Sequence, residues 1–125
     1  MARIRRRRRR QTGVVTRSPV NRRGDIWLAN LDPTVGSEIQ KTRPCVIISP
    51  PEINEHLRTV TVAPMTMGSR PAPFRIPVTF RGKTGLILLD QMRTLDKQRL
   101  VRRLGTIGQA TLGQTLATLR EMFEE

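Results

Sequence analysis

The stretch Phe74-Arg75-Ile76-Pro77-Val78-Thr79-Phe80 alternates strictly: Phe74, Ile76, Val78 and Phe80 face one way, Arg75, Pro77 and Thr79 the other. A period of two belongs to a half-buried strand and not to a helix. Pro77 has no amide hydrogen to give a neighbour, so the strand is expected at a sheet edge or a bulge. Downstream, Arg81-Gly82-Lys83-Thr84-Gly85 reads as a turn, Leu86 to Leu89 as a short buried strand, and Leu100 to Ile107 as the last strand. Upstream, Gly68-Ser69-Arg70-Pro71-Ala72-Pro73 is a loop that cannot be helical, and Thr59 to Met65 is a strand rich in β-branched residues.

The same reading extends to the start of the body. Pro44 to Ser49 is an apolar strand stopped by Pro50-Pro51, and residues 52–58 form a polar connection holding the only histidine, His56. Asp32 to Thr42 is a long loop. Before it, Ile26 to Leu31 places Trp27, Ala29 and Leu31 on one face of a first strand. The period changes only at the C-terminal end. Leu112, Leu116, Leu119 and Phe123 recur at helical spacing, weakly capped by Gly108. Short strands and one terminal helix predict a mainly β protein, a small, strongly bent antiparallel barrel. All four aromatic residues, Trp27, Phe74, Phe80 and Phe123, are expected to face its core.

Charge divides the chain. Residues 1–23 contain ten of the 23 Lys and Arg and no acid, so the body retains 13 basic residues against all ten acidic ones. The formal charge of +13 is then +10 from the N-terminal stretch and +3 from the rest. The division expected is an Arg-rich, disordered extension over 1–22 and one domain over 23–125. A block such as Arg5–Arg10 repels itself and does not fold alone. It reads as a solvated extension from an upstream start codon, or as an arm that grips phosphates. A membrane-surface patch lacks the apolar face it needs. No run resembles a secretory leader or a transmembrane span.

Cys45 is the only cysteine, which excludes an internal disulfide and Cys-based zinc cages and points to a reducing cytoplasm. In its apolar strand it reads as a core residue. A two-histidine ribonuclease dyad is impossible within one chain. Asp90 and Asp96 are separated by five residues and no acids pair as a two-metal nuclease requires, so neither metal nor cofactor is expected. Two loops concentrate the remaining chemistry. Gly36-Ser37-Glu38-Ile39-Gln40-Lys41-Thr42-Arg43-Pro44 carries a carboxylate and two cations up to a rigid strand. Pro64-Met65-Thr66-Met67-Gly68-Ser69-Arg70 brings a hydroxyl and an arginine to the end of another. Guanidinium forks and hydroxyls suit the equatorial oxygens of a phosphorane.

Arg23-Gly24-Asp25-Ile26-Trp27, then Leu31-Asp32-Pro33-Thr34-Val35-Gly36-Ser37-Glu38 and Thr42-Arg43-Pro44, resembles the opening of MazF/PemK toxins. Leu88-Leu89-Asp90-Gln91-Met92-Arg93-Thr94-Leu95-Asp96-Lys97-Gln98-Arg99-Leu100 is similar to the family's later segment, and the likeness runs from residue 22 to 123. It implies an SH3-like barrel of the MazF/CcdB kind and a sequence-specific, metal-independent endoribonuclease acting on single-stranded RNA, messenger RNA above all. By position, Arg43 and Thr66 are implied as catalytic, with Glu38 assisting. Ser37, Gln40, Lys41, Met67, Ser69, Arg70, Gln91 and Arg93 are implied as RNA contacts. Some PemK-type members carry an arginine where this chain has Leu88, so Asp90 is not read as the acid or base; Asp90 and Arg93 brace the sheet or line the groove.

The resemblance further implies attack by the ribose 2′-hydroxyl, a 2′,3′-cyclic phosphate and a 5′-hydroxyl as products, a homodimer, and a cognate antitoxin with an acidic disordered segment. Two other functions fit parts of the pattern. A CcdB-like gyrase poison shares the fold but ends in Trp-Gly-Ile, whereas this chain ends Met122-Phe123-Glu124-Glu125. A plain nucleic-acid-binding module suits the arginines, not a body of +3. Four aromatics, all assigned to the core, leave no platform for stacking bases.

Overall fold

A computed structural model describes residues 21–31, 42–68 and 70–125. Seven strands and two α-helices follow in order: β1 (Asp25–Asn30), β2 (Thr42–Ile47), α1 (Pro51–His56), β3 (Thr59–Thr66), β4 (Arg75–Phe80), β5 (Lys83–Leu88), β6 (Arg93–Asp96), β7 (Leu100–Thr106) and α2 (Gln109–Met122). Every recorded pairing is antiparallel, and the sheet runs β4-β5-β3-β2-β1-β7. The mainly β fold with a C-terminal helix is the one the alternation predicts. β5 and β6 lie end to end along one side of β3: Thr66 pairs with Leu86, and Val62 with Arg93. A single 3-10 turn at Leu89–Gln91 makes the step between them. Pro77 lies on the edge strand β4, where its missing donor costs no ladder bond.

Both faces of the sheet are apolar. One carries Ile26, Val46, Ala63, Met65, Ile87 and Leu89, covered by Leu112, Leu119 and Met122 of α2. The other carries Ala29, Cys45, Ile47, Val60, Val62 and Leu95, flanked by Trp27, Leu31 and Leu100. Because alternate residues of β2 and β3 enter different clusters, those strands read as unbroken apolar runs. Each fully buried Ile or Leu contributes roughly 1.5–3 kcal/mol over its exposed state.

Gly24 ties three strands together. Its φ of 92° is a glycine conformation. From it the amide donates to Ile47 O at 2.7 Å, while the carbonyl accepts from Ile107 N at 2.9 Å and Thr106 Oγ1 at 3.1 Å. Asp25 beside it is buried and bound by Arg103 Nε at 3.3 Å and by the Arg22 amide at 3.2 Å. At the other end the sheet edges meet. The Phe80 ring lies on Gly105, where a Cβ would stand only 2.9 Å from Cε1.

Several expectations are corrected. The polar connection 52–58 contains α1, opened by Pro51 and held by Asn54, which turns inward to bond Ser49. The turn 81–85 shrinks to Arg81-Gly82, since β5 begins at Lys83. Arg93–Asp96 is a strand in which Leu95 alone is buried. Two aromatics do not face the core: Phe123 lies past the end of α2 and is 72% exposed, and Phe74 is 39% exposed. Met122 takes the core position expected of Phe123. The Arg-rich stretch lies, up to residue 20, outside the described residues. Among those described, no helix is long and apolar enough to cross a membrane.

Candidate active site

β2 and β3 pair from Ile47↔Val62 to Cys45↔Pro64, and the ladder stops there. Pro44 and Pro64, both at this point, bring no N–H to continue it. Two residues further in the same register Arg43 stands opposite Thr66. By alternation both side chains project on the face of Cys45 and Val62. The strands end here at a cavity of about 510 Å³.

Its walls come from four places. β2 supplies Thr42, Arg43 and Pro44; the end of β3 supplies Met65 and Thr66, followed by Met67. The β4–β5 hairpin adds Val78, Phe80, Arg81, Lys83 and Gly85, and Leu104 of β7 completes the lining. These residues include three cations and two hydroxyls, those of Thr42 and Thr66, and no acid. A largely apolar notch lined by residues that carry guanidinium, ammonium and hydroxyl donors suits an anion on an organic scaffold. Gly85 lets β5 close against the end of β3 at the notch, since a Cβ there would collide with the carbonyl oxygen of Thr66.

Of the residues singled out in the sequence, Arg43, Thr66 and Met67 come together in this cavity. Glu38, Ser37, Gln40, Lys41 and Ser69 lie outside the described residues. Arg70 is exposed and does not line the cavity; its carbonyl accepts from Arg75 Nη1 at 3.2 Å. Gln91 and Arg93 are exposed and also outside the lining. Arg93 pairs with Val62, four residues or about 13 Å of strand from Thr66, and its Nη1 donates to Leu31 O at 3.1 Å. Asp90 forms a two-pronged pair with Arg75, Oδ1 to Nε at 3.2 Å and Oδ2 to Nη2 at 3.0 Å. The Arg75 hydrogen bonds hold its carboxyl below the ordinary carboxylate range. It braces β4 against the 3-10 turn, one of the two roles its sequence context allowed.

Cys45 is fully buried, and burial pushes its thiol up to about 12 against the smaller opposing pull of Arg43 and then Arg93. His56 is exposed at the end of α1, with Nδ1 3.0 Å from Glu52 O. Among the described residues no three His, Cys, Asp or Glu side chains group to hold a metal ion. The sequence reading missed Arg81, Lys83 and Leu104. The first two stood in plain view as Arg-Gly-Lys after an alternating strand; Leu104 reaches the site only through a non-local contact.

Fold and notch together define a small curled β protein with a cationic, hydroxyl-bearing pocket at the end of its central strands. The family model of the PemK-like, MazF-like toxin of type II toxin–antitoxin systems matches residues 22–123. Endoribonuclease PemK of Escherichia coli is 38% identical over 112 residues, 85% of this chain and 84% of that protein. Endoribonuclease MazF of Staphylococcus epidermidis is 39% identical over 97 residues, 73% and 81% respectively. Among solved structures, MazE–MazF from Deinococcus radiodurans superposes with a TM-score of 0.70 at 24% identity, over 81% of this chain and 93% of that one. An endoribonuclease in complex with its cognate antitoxin, from a mycobacterial species, gives 0.69 at 24%, over 82% and 93%. At that identity the structures speak for the fold. The chain belongs to the PemK-like, MazF-like toxins of type II toxin–antitoxin systems.

Proposed function

We propose that this endoribonuclease toxin cuts single-stranded RNA at the notch between Arg43 and Thr66, using the substrate's own 2′-hydroxyl and no metal ion. The observation that carries the reading is the meeting of Arg43 and Thr66, from two strands, in one cavity whose described lining holds no acid. The 2′-oxygen attacks the adjacent phosphorus and loses its proton, while the bond to the 5′-oxygen breaks and that oxygen gains one. The ends left are a 2′,3′-cyclic phosphate and a 5′-hydroxyl. Arg43 faces the charge that grows on the phosphoryl oxygens and donates toward the leaving group, and the Thr66 hydroxyl adds a further donor. An arginine with a pKa above about 12 is a poor base at neutral pH. Glu38 is the base that carboxylate chemistry favours. Met67 touches the nucleotide beside the cut, with Ser37, Gln40, Lys41, Ser69 and Arg70 as base contacts from the two loops and Gln91 and Arg93 further along the strand.

The toxin acts as a homodimer in the cytoplasm on messenger RNA and so blocks translation. Its partner is an antitoxin whose acidic segment folds over the cationic notch, a reading supported by the antitoxin complexes among its structural neighbours. The deciding experiment replaces the ribose with 2′-deoxyribose at the mapped cut. Cutting there should stop while binding survives, and cleavage of the all-ribose strand should persist in excess EDTA. Cleavage of the deoxy strand, or activity that needs magnesium, overturns the mechanism.

A further inference from the structure

The β4–β5 hairpin brings to the notch a lysine for which the cleavage chemistry has no use. Lys83 is exposed, opens β5 and lines the same cavity as Arg43 and Thr66. Among the described residues the two ion pairs employ Arg75 and Arg103, so Lys83 has no acidic partner there. Two residues along the same strand face, Gly85 lies against the carbonyl oxygen of Thr66 with Met67 Sδ close by, so Lys83 stands about 7 Å of strand from the Thr66 backbone.

The turn that carries Lys83 is fixed. Arg81 and Gly82 both have positive φ, 54° and 78°, and Phe80 pairs with Lys83, which is a two-residue type I′ hairpin. Asparagine or glycine usually fills the first of those positions, and an arginine there is strained. Its guanidinium explains how the strain is held: Nη2 donates to Leu104 O at 2.8 Å, and the head sits 5.0 Å from the Phe80 ring centroid. Strained backbone held by side-chain contacts beside a cavity is characteristic of a site that needs a group kept in place. Arg81 is therefore committed to β7, and Lys83 is the cation of this hairpin left to meet a ligand.

We propose that Lys83 binds a second phosphate of the RNA strand, flanking the phosphodiester held at Arg43 and Thr66. The proposal rests on the ribonuclease reading of the notch. A nucleic-acid strand repeats its negative charge at every nucleotide, and an ammonium accepts phosphate oxygens from many directions. Such a contact fixes the register of the strand without reading a base.

The test measures binding, not cutting. Full-length protein, Lys83→Gln and Arg58→Gln are titrated with RNA carrying 2′-deoxyribose at the mapped cut. Each phosphate near the cut is replaced in turn by an uncharged methylphosphonate. Arg58 lies at the opposite end of β3 from Thr66 and controls for net charge. Lys83→Gln should weaken binding several-fold at low salt and reduce the slope of log affinity against log salt by about 0.7. Its deficit should vanish for the strand in which one particular flanking phosphate is neutral. An equal deficit at every position, or one no larger than that of Arg58→Gln, overturns the proposal. Failure of the ribonuclease reading shows separately, as undiminished cleavage by Arg43→Ala, and the binding series still decides for or against Lys83.

Discussion

Gly85 lies against the carbonyl oxygen of Thr66, closer than a methyl group at position 85 would allow. The neighbour is backbone and cannot rotate away. Gly85→Ala should therefore push β5 from the end of β3, costing about 1–3 kcal/mol in urea unfolding, and should slow RNA cleavage by more than tenfold as Thr66 shifts. Gly113→Ala provides the contrast. Nothing stands within 4 Å of a Cβ there, inside α2, so the change should stabilise by about 1 kcal/mol and leave cleavage alone. Equal effects of the two substitutions would remove the steric argument.

Arg43→Ala should lower turnover by on the order of a hundredfold or more, the scale for losing one donor to a developing oxyanion. Thr66→Ala should be milder. Arg43→Lys should rescue only in part, since an ammonium offers no fork. His56→Ala, which alters an exposed helix end away from the cavity, should be nearly silent. Single-turnover rates and the affinity for a deoxy-blocked strand, taken together, check this. Equal losses in binding and rate for Arg43→Ala would make it a simple phosphate contact.

Cys45 should resist alkylation at neutral pH for as long as the protein is folded. Burial raises its thiol from 9.0 to about 12, so the unfolded chain ionises first. The stability this confers is complete below about pH 9 and declines as pH rises toward 12, by at most about 1.4 kcal/mol per unit. Urea midpoints from pH 7 to 10 should show that decline in the native protein and a shallower one in Cys45→Ala. Parallel curves would refute it.

Residues 1–20 carry eight arginines. A protein lacking them is expected to fold and to cut at the same positions. Its affinity for RNA should fall and its salt dependence flatten, by about 0.7 for each phosphate that the arginines had neutralised. Fragment-end sequencing and salt titrations test both halves; a truncated protein that fails to fold would make this stretch part of the domain.

What the sequence disclosed was local. Alternation from Ile76 to Phe80 gave an edge strand because one face is buried and the other is not, and Leu112 and Leu119 gave the helix for the same reason. Where that contrast fades the reading failed. Arg93–Asp96 buries only Leu95, and Lys83 and Thr84 are exposed on both sides, so neither stretch carries a period. α1 buries an asparagine instead of a leucine, which made a helix look like a loop. Phe123 kept the helical spacing but fell one residue past the last turn. Arg43 and Thr66 were legible by resemblance; that they share a cavity with Lys83 depends on pairings between residues far apart in the chain.

The seam between Phe80 and Gly105, with its bond from Arg81 to Leu104, bears on when the toxin becomes dangerous to the cell that makes it. Every other wall of the notch is in place once β5 has been synthesised. This last one arrives some sixteen residues later, because Leu104 and Gly105 belong to the final strand. A growing chain on the ribosome therefore carries Arg43 and Thr66 long before it has a closed site to hold them. On the reading of the notch proposed above, the ordering of strands makes competence for RNA a late acquisition, one that waits for β7.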